Sequence, residues 1–464
     1  MTRLADLDTL TSDEKDALIH VLWAQVQEIE AVRAANAELS RRVADLEAKL
    51  GAPEKTSDNS SVPPSTGSKP NKPAGDKRHG KRRRPGHGGG GRRLDPDPDQ
   101  RVTATARECP HCRTPLGASD QALHAVYDRV ELPHPAAIVT RVERHGGICP
   151  CCGERFVAPV PTGLEPGSPF GRSVDALAVY LRYQHAIGYE RLSRLFGDLY
   201  GLAISEGALA NLFRRVKPRF DAQVSAILAR LRQSRIICSD ETGARVNGRN
   251  AWEWVFQNDE VCVHVIRNSR AKAVAEEVMD GHKPAIWVSD LYGGQRGHGE
   301  AWQLCLAHQL RDCQYAIDAG DAVFAPGIKR LLLRACMLAR RRGRLNDSTL
   351  SQYRYDLERR LDKVMACQPT NSHGIRLRKR YGKDRDSLFT FMTERAVPPT
   401  NNGSERDIRP STIFRKVTNG FRSDWGGELY AGVRSTLNTG RRQRLSAFQA
   451  IQATIDGQPL LGPG

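Results

Sequence analysis

Between residues 235 and 290 the hydrophobic pattern sets an order of elements that few folds can accommodate. Residues 235–238 are a largely apolar run leading into Ser239-Asp240-Glu241-Thr242. Residues 252–256 and 261–266, rich in aromatic and β-branched side chains, predict two further strands. Residues 271–279 predict a helix, and residues 285–289 a fourth, apolar strand that ends in Asp290. One aspartate therefore closes the first strand and another follows the fourth. Neighbouring carboxylates in a protein interior repel each other unless a cation lies between them.

Three strands, a helix and a further strand is the order of a ribonuclease-H-like core, a mixed sheet with flanking helices. In that fold the first and fourth strands are neighbours, so Asp240 and Asp290 are expected to face each other. Glu241, next to Asp240 on an extended strand, points to the opposite face and is left out of the site. Paired carboxylates suit two Mg²⁺ ions about 4 Å apart, one activating the attacking oxygen and one stabilising the leaving oxygen. Such a site needs a third acid. Residues 316–395 read as a charged helical insertion, with 17 bases against 5 acids in residues 329–385. Glu405 follows it, in Asn401-Asn402-Gly403-Ser404-Glu405, where Asn402 or Ser404 is expected to cap a short helix. Around it stand Arg406, Arg409, Arg415 and Lys416. That cluster reads either as a salt-bridged surface helix or as a metal ligand among phosphate-neutralising cations.

Upstream, apolar residues recur at spacings of four and three: Leu18, Leu22, Ile29, Val32, Leu39, Val43, Leu46 and Leu50, with Gln25 and Asn36 completing the stripe. A period of 3.5 is the seam of a coiled coil, and Asn36 occupies a position where a buried amide fixes register. Gly51-Ala52-Pro53 stops the helix. Residues 54–94 are rich in Pro, Gly, Ser and Lys and cannot bury enough apolar surface to fold alone. Within residues 69–93 there are ten Lys/Arg and one acid, and Lys81, Arg82, Arg83 and Arg84 form the densest run. A solvated linker and an arm that tracks phosphates non-specifically are compatible readings of this stretch. Two Cys-x-x-Cys pairs follow, Cys109/Cys112 and Cys149/Cys152, each with a proline inside. They supply the four thiolates that one structural Zn²⁺ prefers. Residues 174–184, 189–199 and 206–217 then predict three helices. Ser205 caps the third, and the last two are spaced as in a helix-turn-helix.

Charge narrows the function classes. The chain of 464 residues carries 70 Lys+Arg against 53 Asp+Glu, a net +17, which favours a polyanionic partner. No apolar run is long enough for a membrane span. Residues 1–16 lack the basic and apolar regions of a signal peptide. Eleven cysteines, an odd number with two adjacent, argue against a disulfide framework and for a reducing cytoplasm.

These segments together resemble a transposase of the insertion-sequence-66 family, a DDE-type bacterial group. Matching blocks run in order: the zipper-like helix; Ser57-Asp58-Asn59-Ser60-Ser61 with Pro63-Pro64-Ser65; the paired Cys motif; Asp240-Glu241-Thr242; Ser289-Asp290; Cys305-Leu306-Ala307-His308 with Arg311; and Asn401-Asn402 through Glu405-Arg406, Arg409-Pro410 and Arg415-Lys416. Thr400 stands where the family pattern has an aspartate. The resemblance implies that Asp240, Asp290 and Glu405 are a catalytic triad holding two Mg²⁺, for which Mn²⁺ can substitute. It implies cleavage and joining of double-stranded DNA at element ends without a covalent protein–DNA intermediate. Arg311, Arg406, Arg409, Arg415 and Lys416 are expected DNA-phosphate contacts; His308 reads either as another or as a packed helix residue. Expected partners are DNA, a second copy through the coiled coil, and companion proteins encoded by the same element, in a bacterial cytoplasm at the nucleoid. Other readings are a DNA-binding regulator with an inactive nuclease core and a ribonuclease-H-like nuclease that cuts without joining.

The expected organisation is a coiled coil in residues 1–52, a flexible basic linker in 53–100 and a zinc-binding domain in 101–160. A helix-turn-helix-like DNA-binding region follows in 173–230. The catalytic domain spans 231–445, with its helical insertion at about 316–398, and 446–464 is a C-terminal tail.

Overall fold

The computed structural model describes residues 10–50, 53, 55–56, 59–60, 93–133 and 135–462. The basic run Lys81–Arg84 lies outside them. The chain divides into two compact units: Met1–Gly67, Ser168–Gly188 and Ala210–Gly464 make one, and Ser68–Gly167 with Tyr189–Leu209 the other.

Helix α1 spans Ser12–Leu50. Its start is a reciprocal cap: the Glu14 N–H donates to Thr11 Oγ1, and the Thr11 N–H donates to Glu14 Oε2 at 2.9 Å. Leu22, Ile29, Val32, Leu39 and Val43 of the heptad stripe are all half or more exposed on the single chain.

In the second unit, β1 (Gly146–Ile148) and β2 (Arg155–Val157) form an antiparallel hairpin around Cys149–Cys152. Helix α3 (Tyr189–Tyr200) also lies in this unit and is followed within a few residues by α4 (Glu206–Leu231), which from Ala210 onward, like α2 below, belongs to the first unit. The Ser193 hydroxyl donates to the Ile204 carbonyl at 2.6 Å and fixes the turn between them. Helix α4 runs well past the expected end at residue 217, through Pro218, because Phe220, Ile227 and Leu231 continue its buried stripe. Preceding it in the chain, α2 (Arg172–Val179) passes into a π-turn over Tyr180–Gln184.

The core of the first unit is a five-stranded sheet of order β5-β4-β3-β6-β7. Its strands are β3 (Ile236–Val246), β4 (Arg249–Gln257), β5 (Cys262–Arg267), β6 (Ile286–Ser289) and β7 (Ala301–Leu304). Strands β3, β4 and β5 are antiparallel in succession, while β6 lies parallel to β3 and β7 parallel to β6. The β3–β4 connection is Asn247-Gly248 with φ of 50° and 72°, the pair of left-handed residues that a tight hairpin turn requires. Strand β7 was not foreseen: four residues, Ala-Trp-Gln-Leu, carry too short a period to read.

Helices cover the sheet. Helix α5 (Ala273–Met279) connects β5 to β6, and with α4 and α12 (Ala447–Ile455) it buries Trp254, Phe256 and Trp287. Burial of each of these large rings contributes on the order of 2–3 kcal/mol. The expected tail thus contains α12, capped by Ser446, whose hydroxyl accepts the Gln449 N–H at 3.2 Å. After β7 come α6 (Leu306–Asp318), α7 (Phe324–Arg341), α8 (Asp347–Met365) and α9 (Ser372–Lys383), which share a second apolar cluster with Val288 and Leu304. The chain returns to the sheet as α10 (Asn402–Thr418) and α11 (Asp424–Arg442). Among the described residues no helix is long and apolar enough to cross a membrane.

Candidate active site

Asp240 lies within β3, and Asp290 immediately follows β6. The parallel ladder pairs Ile236 with Ile286, Ile237 with Trp287 and Cys238 with Val288. Continued by two residues on each strand, it brings Asp240 and Asp290 level. Tyr292 N–H donates to Asp290 Oδ1 at 2.9 Å, and Glu241 N–H to Asp240 Oδ1 at 3.0 Å.

Glu405 arrives in the first turn of α10. Three ties position that turn. Asn401 Nδ2 donates to the Ser239 carbonyl at 2.7 Å, beside Asp240. The Asn401 backbone N–H donates to Cys305 Sγ at 3.0 Å, just before α6. Gln257 of β4 donates to the Ser404 hydroxyl at 3.2 Å, and Ser404 in turn donates to Asn401 Oδ1 at 2.7 Å. The helix starts from Asn401, not from Asn402 or Ser404 as expected; the fully buried Asn401 side chain caps no backbone N–H and instead clasps the helix to the sheet. Two residues past Glu405, buried Asp407 accepts from Arg441 at 2.5 Å and Arg442 at 2.6 Å and locks α10 to α11.

Helix α6 presents His308 and Arg311 to the same carboxylate. His308 Nε2 is 3.5 Å and Arg311 Nη1 3.7 Å from Glu405 Oε1. Neither contact has hydrogen-bond geometry, so Glu405 Oε1 is buried without a hydrogen-bond partner; the other ring nitrogen of His308, Nδ1, is buried without one as well. Burial pushes the Asp240 carboxyl well above the usual carboxylate range, and the negative charges of Glu241, Asp290 and Glu405 push it the same way. The four acids thus share one electrostatic environment.

Glu241 is the group that sequence reasoning set aside. Its backbone pairs with Trp254, and Asp240 pairs with Val255, so the two acids do leave β3 on opposite faces. Glu241 nevertheless sits close enough to Asp290 for that charge, after burial, to raise its own carboxyl. Arg270 donates to Glu241 Oε1 at 2.6 Å and Gln295 to Oε2 at 2.6 Å. Arg270 also stacks on Tyr292, its guanidinium carbon 3.8 Å from the ring centroid. A Cβ on Gly294 would come within 2.5 Å of that ring, so this loop position needs glycine. The signal for this assembly was the unbroken Asp240-Glu241 pair.

The remaining expected DNA contacts divide. Arg406, Arg409 and Lys416 are exposed along one side of α10, whereas Arg415 is half-buried toward Gly243 of β3. In the second unit the two Cys pairs adopt the same knuckle. Cys109 N–H donates to the Thr114 carbonyl and Arg113 N–H back to Cys109; Cys149 N–H donates to the Glu154 carbonyl and Gly153 N–H back to Cys149. Arg113 and Gly153 both have positive φ, 61° and 73°. Hydrogen bonds from Thr114 and Cys109 pull the Cys112 thiol down to about 7, and those from the Cys152 and Cys151 backbone lower Cys149. Among the described residues no group of three or more His, Cys, Asp and Glu side chains is drawn together tightly enough to hold a metal ion, at the carboxylates or at the cysteines.

The mixed sheet thus sets an aspartate inside β3 level with one just past β6, and α10 returns a third acid whose charge Asp240 feels. Residues 167–429 match the family model described as Transposase IS66 family, and the chain belongs to that family. No curated protein matches it.

Proposed function

We propose that the chain is a DNA transposase that binds the terminal inverted repeats of its element, then cleaves and joins strands with Asp240, Asp290 and Glu405. The observation that carries this reading is the placement of Asp240 and Asp290 level on parallel neighbours, with Glu405 clasped beside them by Asn401. The sheet order, with its first and fourth strands adjacent, supports a ribonuclease-H-like core.

The donor set fits hard divalent cations. Asp240 is buried among like charges, and Glu405 Oε1 has no hydrogen-bond donor to offset its charge. Asp240, Asp290 and Glu405 would hold two Mg²⁺, which when bound lower the pKa of water and stabilise a departing oxygen. The protein's own groups do the rest. Asn401 and Ser404 keep Glu405 in place. Arg270 and Gln295 hold Glu241 beside Asp290, an outer support for the site. Arg311 neutralises charge next to Glu405, and the exposed Arg406, Arg409 and Lys416 meet phosphates. Arg415 and the arm carrying Lys81, Arg82, Arg83 and Arg84 add further phosphate contacts. No side chain is placed to act as a covalent nucleophile in this scheme.

The two cysteine knuckles would share one Zn²⁺ through Cys109, Cys112, Cys149 and Cys152, giving the small hairpin unit the core it lacks. The exposed heptad stripe of α1 would pair with a second copy. Helices α3 and α4 supply the helix-turn-helix spacing for duplex DNA. Companion proteins from the same element and a bacterial, nucleoid-associated location belong to the same reading. Incubation of the purified protein with element-end DNA and Mg²⁺ tests the reading: joined products are expected. Binding without cleavage would favour an inactive regulator, and cleavage without joining a simple nuclease.

A further inference from the structure

The Ser57–Ser61 motif lies in a linker whose composition gives it no reason to be buried, yet Asn59 is 6% and Ser60 9% exposed. The cover comes from the catalytic core. Asn59 Nδ2 donates to Asp318 Oδ2 in the last turn of α6 at 3.1 Å. Asn59 Oδ1 accepts the Thr56 N–H at 2.8 Å, and the Ser60 hydroxyl donates to the Thr56 carbonyl at 2.5 Å, tying Thr56 to both. Lys55 Nζ lies 5.9 Å from the centroid of the Tyr315 ring, one turn earlier on α6. Tyr315 meets His373 of α9 edge-on at 5.1 Å. Asp318 is itself set by Gln314, which donates to Oδ1 at 2.5 Å, leaving Oδ2 toward Asn59.

We infer that Lys55, Thr56, Asn59 and Ser60 form a docking motif that clips the N-terminal helix onto the core of its own chain, at the end of α6 opposite His308 and Arg311. Both ends of the Asn59 amide are used, one inside the motif and one on the core. Aspartate there would keep the inner bond but set a carboxylate against Asp318. The clip also fixes reach. Leu50, the last residue of α1, and Asn59 are nine residues apart, a span of at most about 30 Å when extended. The end of the zipper helix is thereby held near the helix that touches Glu405. Two chains joined at the zipper would then bring their cores close, instead of trailing them on a long linker. This inference rests on contacts of the motif and not on the proposed chemistry.

Amide hydrogen exchange on the full-length protein tests it, with protection of β3 as the measure of an intact fold. Asn59→Asp is expected to speed exchange of the Thr56 amide and its neighbours about tenfold or more, as a buried group loses its partner. Asp318→Asn alone is expected to do the same. The double variant Asn59→Asp/Asp318→Asn reverses donor and acceptor and is expected to restore wild-type exchange within about threefold. Wild-type protection should not change on tenfold dilution. Unchanged exchange in Asn59→Asp, no restoration in the double variant, or protection lost on dilution would each overturn docking within the chain.

Discussion

Asp240 and Asp290 each stand two residues beyond Cys238 and Val288, the last partners in the parallel β3–β6 ladder. The register of the two strands therefore sets them side by side, with Asp290 the first residue past β6 and its carboxylate held by the Tyr292 N–H. Glu405 is different: it comes from a helix more than 100 residues further on, and its position depends on side-chain ties.

Asn401→Ala removes two of those ties, to the Ser239 carbonyl and from the Ser404 hydroxyl. It leaves the buried Ser239 carbonyl without its donor, at a cost of about 1–3 kcal/mol. Displacement of Glu405 is expected to lower the strand-transfer rate about 10²-fold while DNA affinity stays near wild type. Single-turnover assays beside a binding titration check this; equal losses in both would point to general unfolding.

The α10 stripe makes a prediction about salt. Replacing Arg406, Arg409 and Lys416 together by alanine should flatten the dependence of log affinity on log salt by about 2–3, near 0.9 per phosphate contact. Binding isotherms at several ionic strengths measure the slope. An unchanged slope would return these side chains to ordinary surface.

Elemental analysis of the purified chain should find one zinc. Cys149→Ser should lose it, and chelation should unfold residues 101–160 while the sheet of the first unit persists. A metal-free protein with an intact β1–β2 hairpin would show that the knuckles stand by themselves.

A peptide of residues 1–50 should self-associate at micromolar concentration in the ultracentrifuge. Ile29→Asp with Leu39→Asp should render it monomeric, because both side chains lie on the exposed stripe. A monomeric parent peptide would remove the zipper from the account.

The sheet was legible because its first four strands have long or apolar patterns; Asp240, expected to close the first strand, lies inside β3, which runs on to Val246, yet the register with β6 still makes it the neighbour of Asp290. What escaped had a local cause. Strand β7 is too short to show a period, and α4 outran its expected end because tertiary burial of Phe220 and Ile227 overrides the proline within it. Glu241 was set aside by a correct argument about strand faces; its approach to Asp290 depends on Arg270 and Gln295, which come from loops. The sequence offers Asn402 or Ser404 as the helix cap; the attachment of Asn401 to Ser239 and of Ser404 to Gln257 is a contact across some 150 residues that no local pattern encodes.

The central claim is that three carboxylates carry the chemistry while other residues hold the DNA. The direct test is strand transfer on element-end DNA in Mg²⁺ by Asp240→Ala, Asp290→Ala and Glu405→Ala, with binding measured in parallel. Each variant is predicted to bind within a few-fold of wild type and to yield no joined product. Joining at the wild-type rate by any one of them would contradict its place in the triad.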